Sequence, residues 1–93
     1  MEIKDNLLLR HFETPTEFGL LVMEYAIQER KIFLTKLNQP ENLPNEYIED
    51  FIREVLSIAV ERKFKVVPTH PKLAHFFRKN PAYKELLPPG IKL

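Results

Sequence analysis

Apolar residues along this 93-residue chain recur first with a period of two and then with a period near 3.6, and the change falls in the loop-like stretch 38–44. Within Asp5–Phe12, Leu7 and Leu9 alternate with Leu8 and Arg10, which predicts a strand, and Thr14-Pro15-Thr16 punctuates its end. Across 18–27 the chain alternates again. Leu21, Met23, Tyr25 and Ile27 fall on one face, with Leu20, Val22, Glu24 and Ala26 on the other. Both faces are largely apolar, as in a central strand. Gln28-Glu29-Arg30 turns the chain, through a short hairpin without glycine, into a third strand over Lys31–Leu37. Three antiparallel strands in sequence order are expected.

Asn38 to Pro44 holds two prolines and reads as a loop. Beyond it, Ile48, Phe51, Ile52, Val55, Leu56 and Ala59 follow one face of a helix, which Asn45 is placed to cap. Lys65-Val66-Val67 is a short strand ended by Pro68, and a strand after such a helix returns most simply parallel to its predecessor. Thr69-His70-Pro71 supplies a capping residue and a first-turn proline for a short helix with Leu73, Phe76 and Phe77 on its apolar face. A last turn follows around Tyr83–Leu87.

Composition narrows the chemistry. With 44% hydrophobic and 29% charged residues the chain is an ordinary globule of one small domain. The absence of cysteine removes disulfides, thiolate metal sites and a cysteine nucleophile, and suits a reducing compartment, so a cytoplasmic location is expected. No apolar run approaches the ~20 residues of a membrane span, and no membrane partner is expected. Gly19 and Gly90 are too far apart for a glycine-rich phosphate loop. Ser57, the only serine, lies in the central helix, away from any nucleophile elbow. His70 and His75 do not share a helical face, so no metal site is expected. The net charge of +1 conceals an asymmetry: residues 1–50 carry five Lys/Arg and ten Asp/Glu, residues 51–93 nine and three.

The run Val66-Val67-Pro68-Thr69-His70-Pro71-Lys72-Leu73-Ala74-His75-Phe76-Phe77-Arg78-Lys79-Asn80-Pro81-Ala82-Tyr83 resembles the C-terminal signature of the small single-domain GNAT-like N-acetyltransferases. The likeness extends almost without gaps over roughly residues 18–88, with Gln39-Pro40 where the family tends to have Val-Pro. It implies an α/β (α+β) fold, with residues 1–93 as one GNAT-like domain: an antiparallel meander, a helix, a parallel strand and short C-terminal helices. It further implies acetyl-CoA as donor and an amine as acceptor. By the resemblance, Lys36, Leu37 and Asn38 would pair with the pantetheine arm, and Arg78 or Lys79 would meet phosphates.

The chain departs from the family at two places. Asn45 and Tyr47 stand where the family's pyrophosphate turn has glycines, Pro44 beside them lacks an N–H, and Glu41, Glu46, Glu49 and Asp50 make the turn acidic. His70 replaces a cysteine near the acetyl group, where it could serve as general base or, alternatively, occupy the helix start as a cap.

Three readings follow. The first is an acetyl-CoA-dependent N-acetyltransferase with His70 as catalytic residue. The second is a non-catalytic GNAT-fold protein that binds a protein partner. The third, a polyanion or nucleic-acid binder, rests on seven positive side chains between Arg62 and Lys84 interleaved with Phe64, Phe76, Phe77 and Tyr83. It is disfavoured because the phenylalanines complete an apolar helix face and the acidic half repels a long polyanion. The Met23, Tyr25, Ile27 face suits a core or a dimer surface, which leaves oligomeric state open.

Overall fold

A computed structural model describes all 93 residues. Five strands form one sheet in sequence order: β1 (Lys4–Asn6), β2 (His11–Thr16), β3 (Gly19–Gln28), β4 (Lys31–Asn38) and β5 (Lys65–Pro68). The first four run antiparallel, and β5 joins β4 in parallel after helix α1 (Asn45–Glu61). Helix α2 (Pro71–Lys79) and a 3-10 segment (Pro81–Leu86) complete the chain. The α+β class, the β-α-β unit and the central place of β3 are as the sequence pattern implies.

The six apolar residues that define the helical stripe, Ile48, Phe51, Ile52, Val55, Leu56 and Ala59, are the buried residues of α1. They meet Phe12, Leu21, Met23, Tyr25, Ile32, Leu34 and Val66 from one face of the sheet, and Leu73, Phe76 and Phe77 of α2 close the same core. Phe76 and Phe77, set edge to face, are thus packing groups rather than stacking platforms. Met23 and Tyr25 are buried as well, and only Ile27 on that face reaches the surface.

The N-terminal region differs from the expected single strand. Asp5–Phe12 is broken at Leu7–Arg10 into two strands joined by a turn. Three adjacent leucines carry no alternation, and Asn6 Oδ1 accepts the Leu9 N–H at 3.1 Å, which drives a local turn instead of a ladder. The antiparallel strands therefore number four. Thr14-Pro15-Thr16 lies inside β2 instead of ending a strand. Pro15 is tolerated because β1 begins pairing at Lys4, opposite Glu13, so no neighbour needs its missing donor. His11, which the sequence leaves isolated, is 2.7 Å from Glu13 through its Nε2.

The hairpin between β3 and β4 is closed by Glu29 and Arg30, at φ 50° and 65°. Both occupy the left-handed region, as a two-residue turn matching strand twist requires. Asn45 is not the cap of α1 as expected. Pro44 holds that position without a side-chain bond, and the Asn45 amide donates to Glu49 one turn on.

Candidate functional site

The sheet opens where β4 and β5 part. Their pairing ends at Leu34 opposite Pro68, and the Leu34 carbonyl takes both the N–H and the hydroxyl of Thr69, at 3.2 and 3.0 Å. The cause is local: Pro68 has no donor with which to extend the ladder, and Pro71 commits the chain to α2. β4 runs on to Asn38 with β3 on one side and no strand on the other. Its register against β3 slips in the same place, with Tyr25 opposite Leu34 and Glu24 opposite Lys36, so Thr35 is an unpaired bulge residue. The segment 35–38 therefore presents one unpaired main-chain edge beside a gap in the sheet.

A cleft of about 330 Å³ lies between α1 and α2, lined by Ile48, Ile52 and Phe76 and by the polar side chains of Asn45, Glu49, Lys72, His75 and Lys79. Glu49 anchors its polar side. Its carboxylate receives Lys79 Nζ at 3.2 Å, Asn45 Nδ2 at 3.1 Å and Arg53 at 3.4 Å. The Lys79 bond above all holds the Glu49 carboxyl below its ordinary range. Lys72 Nζ donates to Gln39 Oε1, tying α2 to the loop after β4.

His70 is the N-cap of α2, its Nδ1 accepting the Lys72 N–H at 3.2 Å. Since the amide must donate, the neutral ring carries its proton on Nε2, and in that state His70 offers the solvent side a donor. Lys36, Leu37 and Asn38 lie along the free edge of β4, with Asn38 Nδ2 donating to Glu24 at 3.1 Å. Asn45 and Lys79 face each other across the cleft through Glu49. Arg78 is exposed on α2 outside the cleft lining. Tyr47 turns away from the cleft, packing edge to face on Phe18 at 5.8 Å and donating its hydroxyl to Glu17. That bond raises the Tyr47 hydroxyl pKa. The structure thus gathers Asn45 and Lys79 into the cleft, aligns Lys36–Asn38 along the opened edge, and sends Tyr47 and Arg78 elsewhere.

Glu49, Lys72 and His75 complete the cleft but are not among the site residues that the resemblance implies. Their signal was periodic. Asn45, Ile48, Glu49 and Ile52, and likewise Lys72, His75, Phe76 and Lys79, fall at i, i+3, i+4 and i+7 on two consecutive helices. The left-handed position before α1 is Asn42, at φ 62°, whereas Asn45 and Tyr47 have ordinary helical φ. The turn therefore makes no conformational demand for glycine at either of those two positions.

The five-stranded sheet, parallel only at β4 and β5 and followed by α2, has the architecture of a GNAT-like fold. No protein-family profile matches the chain, and no curated protein sequence matches it. Its structure is similar to the solution NMR structure of a GCN5-like protein from Staphylococcus aureus, provisionally assigned as an N-acetyltransferase, with TM-score 0.74. The match covers 98% of this chain and 90% of that one at 17% identity, a likeness that establishes the fold.

Proposed function

We propose that this protein binds acetyl-CoA along the free edge of β4 and transfers the acetyl group to an amine. The observation carrying this reading is the coincidence of three features: strand pairing that stops at Leu34, a bulge at Thr35, and a cleft with cationic side chains that Lys72 ties to Gln39 in the loop after β4. An amide-bearing arm needs unpaired main-chain partners, which Lys36, Leu37 and Asn38 supply. Phosphates need cations and free amides. Lys72 and Lys79 line the cleft, and the first turn of α1 begins with the amides of Asn45 and Glu46. Bound acetyl-CoA would supply the activated acetyl carbonyl.

His70 stands at the mouth of the gap, one residue beyond the last bond between β4 and the chain leaving β5. With Nδ1 committed to the helix cap, its part in the transfer is to donate from Nε2. To act as a base it would have to surrender the cap. The amine nitrogen would bond to the acetyl carbon as the thioester C–S bond breaks, the His70 Nε2–H would hydrogen-bond the departing thiolate, and the proton lost by the amine would pass through solvent to that sulfur. Glu49 and the acidic turn oppose phosphate binding, but Lys79 and Arg53 already neutralise Glu49, so a phosphate entering the cleft shares cations instead of meeting a bare charge.

Calorimetry with acetyl-CoA and an assay of thiol release over a panel of small amines and lysine peptides test the reading together. Binding with turnover is the expected result. Binding without turnover would mark a non-catalytic cofactor binder, and absence of both would leave a GNAT-like scaffold acting through protein partners.

A further inference from the structure

One end of the molecule carries an amphiphilic surface that the acetyl-CoA reading does not use. The β1–β2 turn and the β3–β4 turn lie at this end, since Tyr25 N donates to the Arg10 carbonyl at 3.0 Å. The start of β5 joins them through Lys65 N to the Arg30 carbonyl, also at 3.0 Å. The C-terminus of α1 is tied in by Arg62 on Asp5 at 2.6 Å. At its tip Leu7, Leu8 and Leu9 are 74%, 91% and 62% exposed, held in a turn by the Asn6 side chain.

The surrounding charge is placed at a conformational cost. Of the five non-glycine residues with positive φ, four are here: Arg10, Glu29, Arg30 and Lys63. Glycine is the residue such positions favour, yet three of the four carry a cation. None of these three side chains, nor that of Lys31, is paired with an acid. Glu29, Glu61 and Glu85 are the opposing charges, the Glu85 carbonyl accepting Lys65 Nζ, and Asp5 is already neutralised by Arg62. Long cationic side chains kept where backbone geometry disfavours them, around leucines without cover, indicate a partner both anionic and apolar.

We propose that this end docks on an anionic lipid surface, with Leu7, Leu8 and Leu9 entering the headgroup layer and Arg10, Arg30, Lys31 and Lys63 meeting lipid phosphates. The tip is a turn on which three successive leucines are mostly exposed. Such a tip suits a deformable lipid surface better than a protein, which would need a matching pocket. No helix is long and apolar enough to cross a membrane, and contact of this kind requires none.

Sedimentation of the full chain with vesicles tests it, independently of acetyl-CoA. In about 0.1 M salt the protein should pellet with vesicles of phosphatidylcholine containing phosphatidylglycerol and remain free of vesicles of phosphatidylcholine alone. Leu8→Ser should weaken partitioning about tenfold. Arg30→Gly and Lys63→Gly should each weaken it about fivefold while leaving the melting temperature unchanged or higher, because glycine relieves the left-handed backbone. Failure to bind the anionic vesicles would overturn the proposal, as would binding that these three variants leave intact. Lipid-free self-association lost in the same variants would assign this end to a second copy of the chain and equally overturn it.

Discussion

Tyr25 shows how one residue links the sheet to the helix layer. Its ring lies 4.6 Å from that of Phe12, and its hydroxyl donates to Asp5 at 2.6 Å, while Asp5 also receives Arg62. Burial, followed by the Asp5 hydrogen bond, pushes the Tyr25 hydroxyl up to about 12. A pKa raised on folding stabilises the protein below the unfolded value, near 10, and that contribution is lost as pH rises toward the folded value. Denaturant midpoints should therefore fall between about pH 10 and 12. Tyr25→Phe should lack this component of the fall. His70 allows a separation of roles at the same scale. His70→Ala should cost about 1 kcal/mol through the lost cap, and His70→Asn should restore the cap and the stability. If His70 takes part in acetyl transfer, His70→Asn folds and binds acetyl-CoA normally yet loses turnover. Unchanged turnover in that variant would confine His70 to capping.

At the scale of elements, α1 is the main support of both core and cleft. One face buries Phe51, Val55 and Leu56, while Asn45 and Glu49 of its first turns line the cleft. Phe51→Ala should cost about 3–5 kcal/mol, measured by denaturant unfolding. The loop leading into α1 is pinned by Gly19, at φ 128°, where a Cβ would lie 3.3 Å from Pro40. Gly19→Ala should both destabilise the protein and shift the amide resonances of Gln39 to Asn45, because strain there acts on Pro40. These elements were readable from sequence to different degrees. The α1 stripe, β3, β4 and β5 were legible because their apolar periods match single secondary structures. The β1–β2 hairpin was not, since Leu7-Leu8-Leu9 mimics strand composition and only the Asn6 side chain reveals the turn. The gap between β4 and β5 was half legible: Pro68 and Pro71 mark where β5 ends, but the bulge at Thr35 depends on register with β3, which sequence does not display. The cleft was legible as two helical stripes, but only once the helices were known to face each other.

Across the whole molecule, charge is sorted by end rather than by half of the sequence, since Arg10, Arg30 and Lys31 come from the acidic half 1–50. Lys31, Arg30, Arg10 and Lys63 gather at the end with the β1–β2 and β3–β4 turns, whereas Glu17, Glu41 and Glu46 belong to the β2–β3 turn and the entry to α1. The proposed acetyl-CoA edge lies on the side of that acidic entry and depends on local cations for its phosphates. Because the cofactor contacts proposed are largely to main chain, they fix the location of binding as well as its affinity. The most direct test is titration of isotope-labelled protein with acetyl-CoA, followed by amide chemical shifts. Saturable shifts should concentrate at Thr35–Asn38, Asn45–Glu46 and Lys72–Lys79, with the β1–β2 turn unmoved. Shifts confined to the basic end, or none at millimolar acetyl-CoA, would contradict the proposed site.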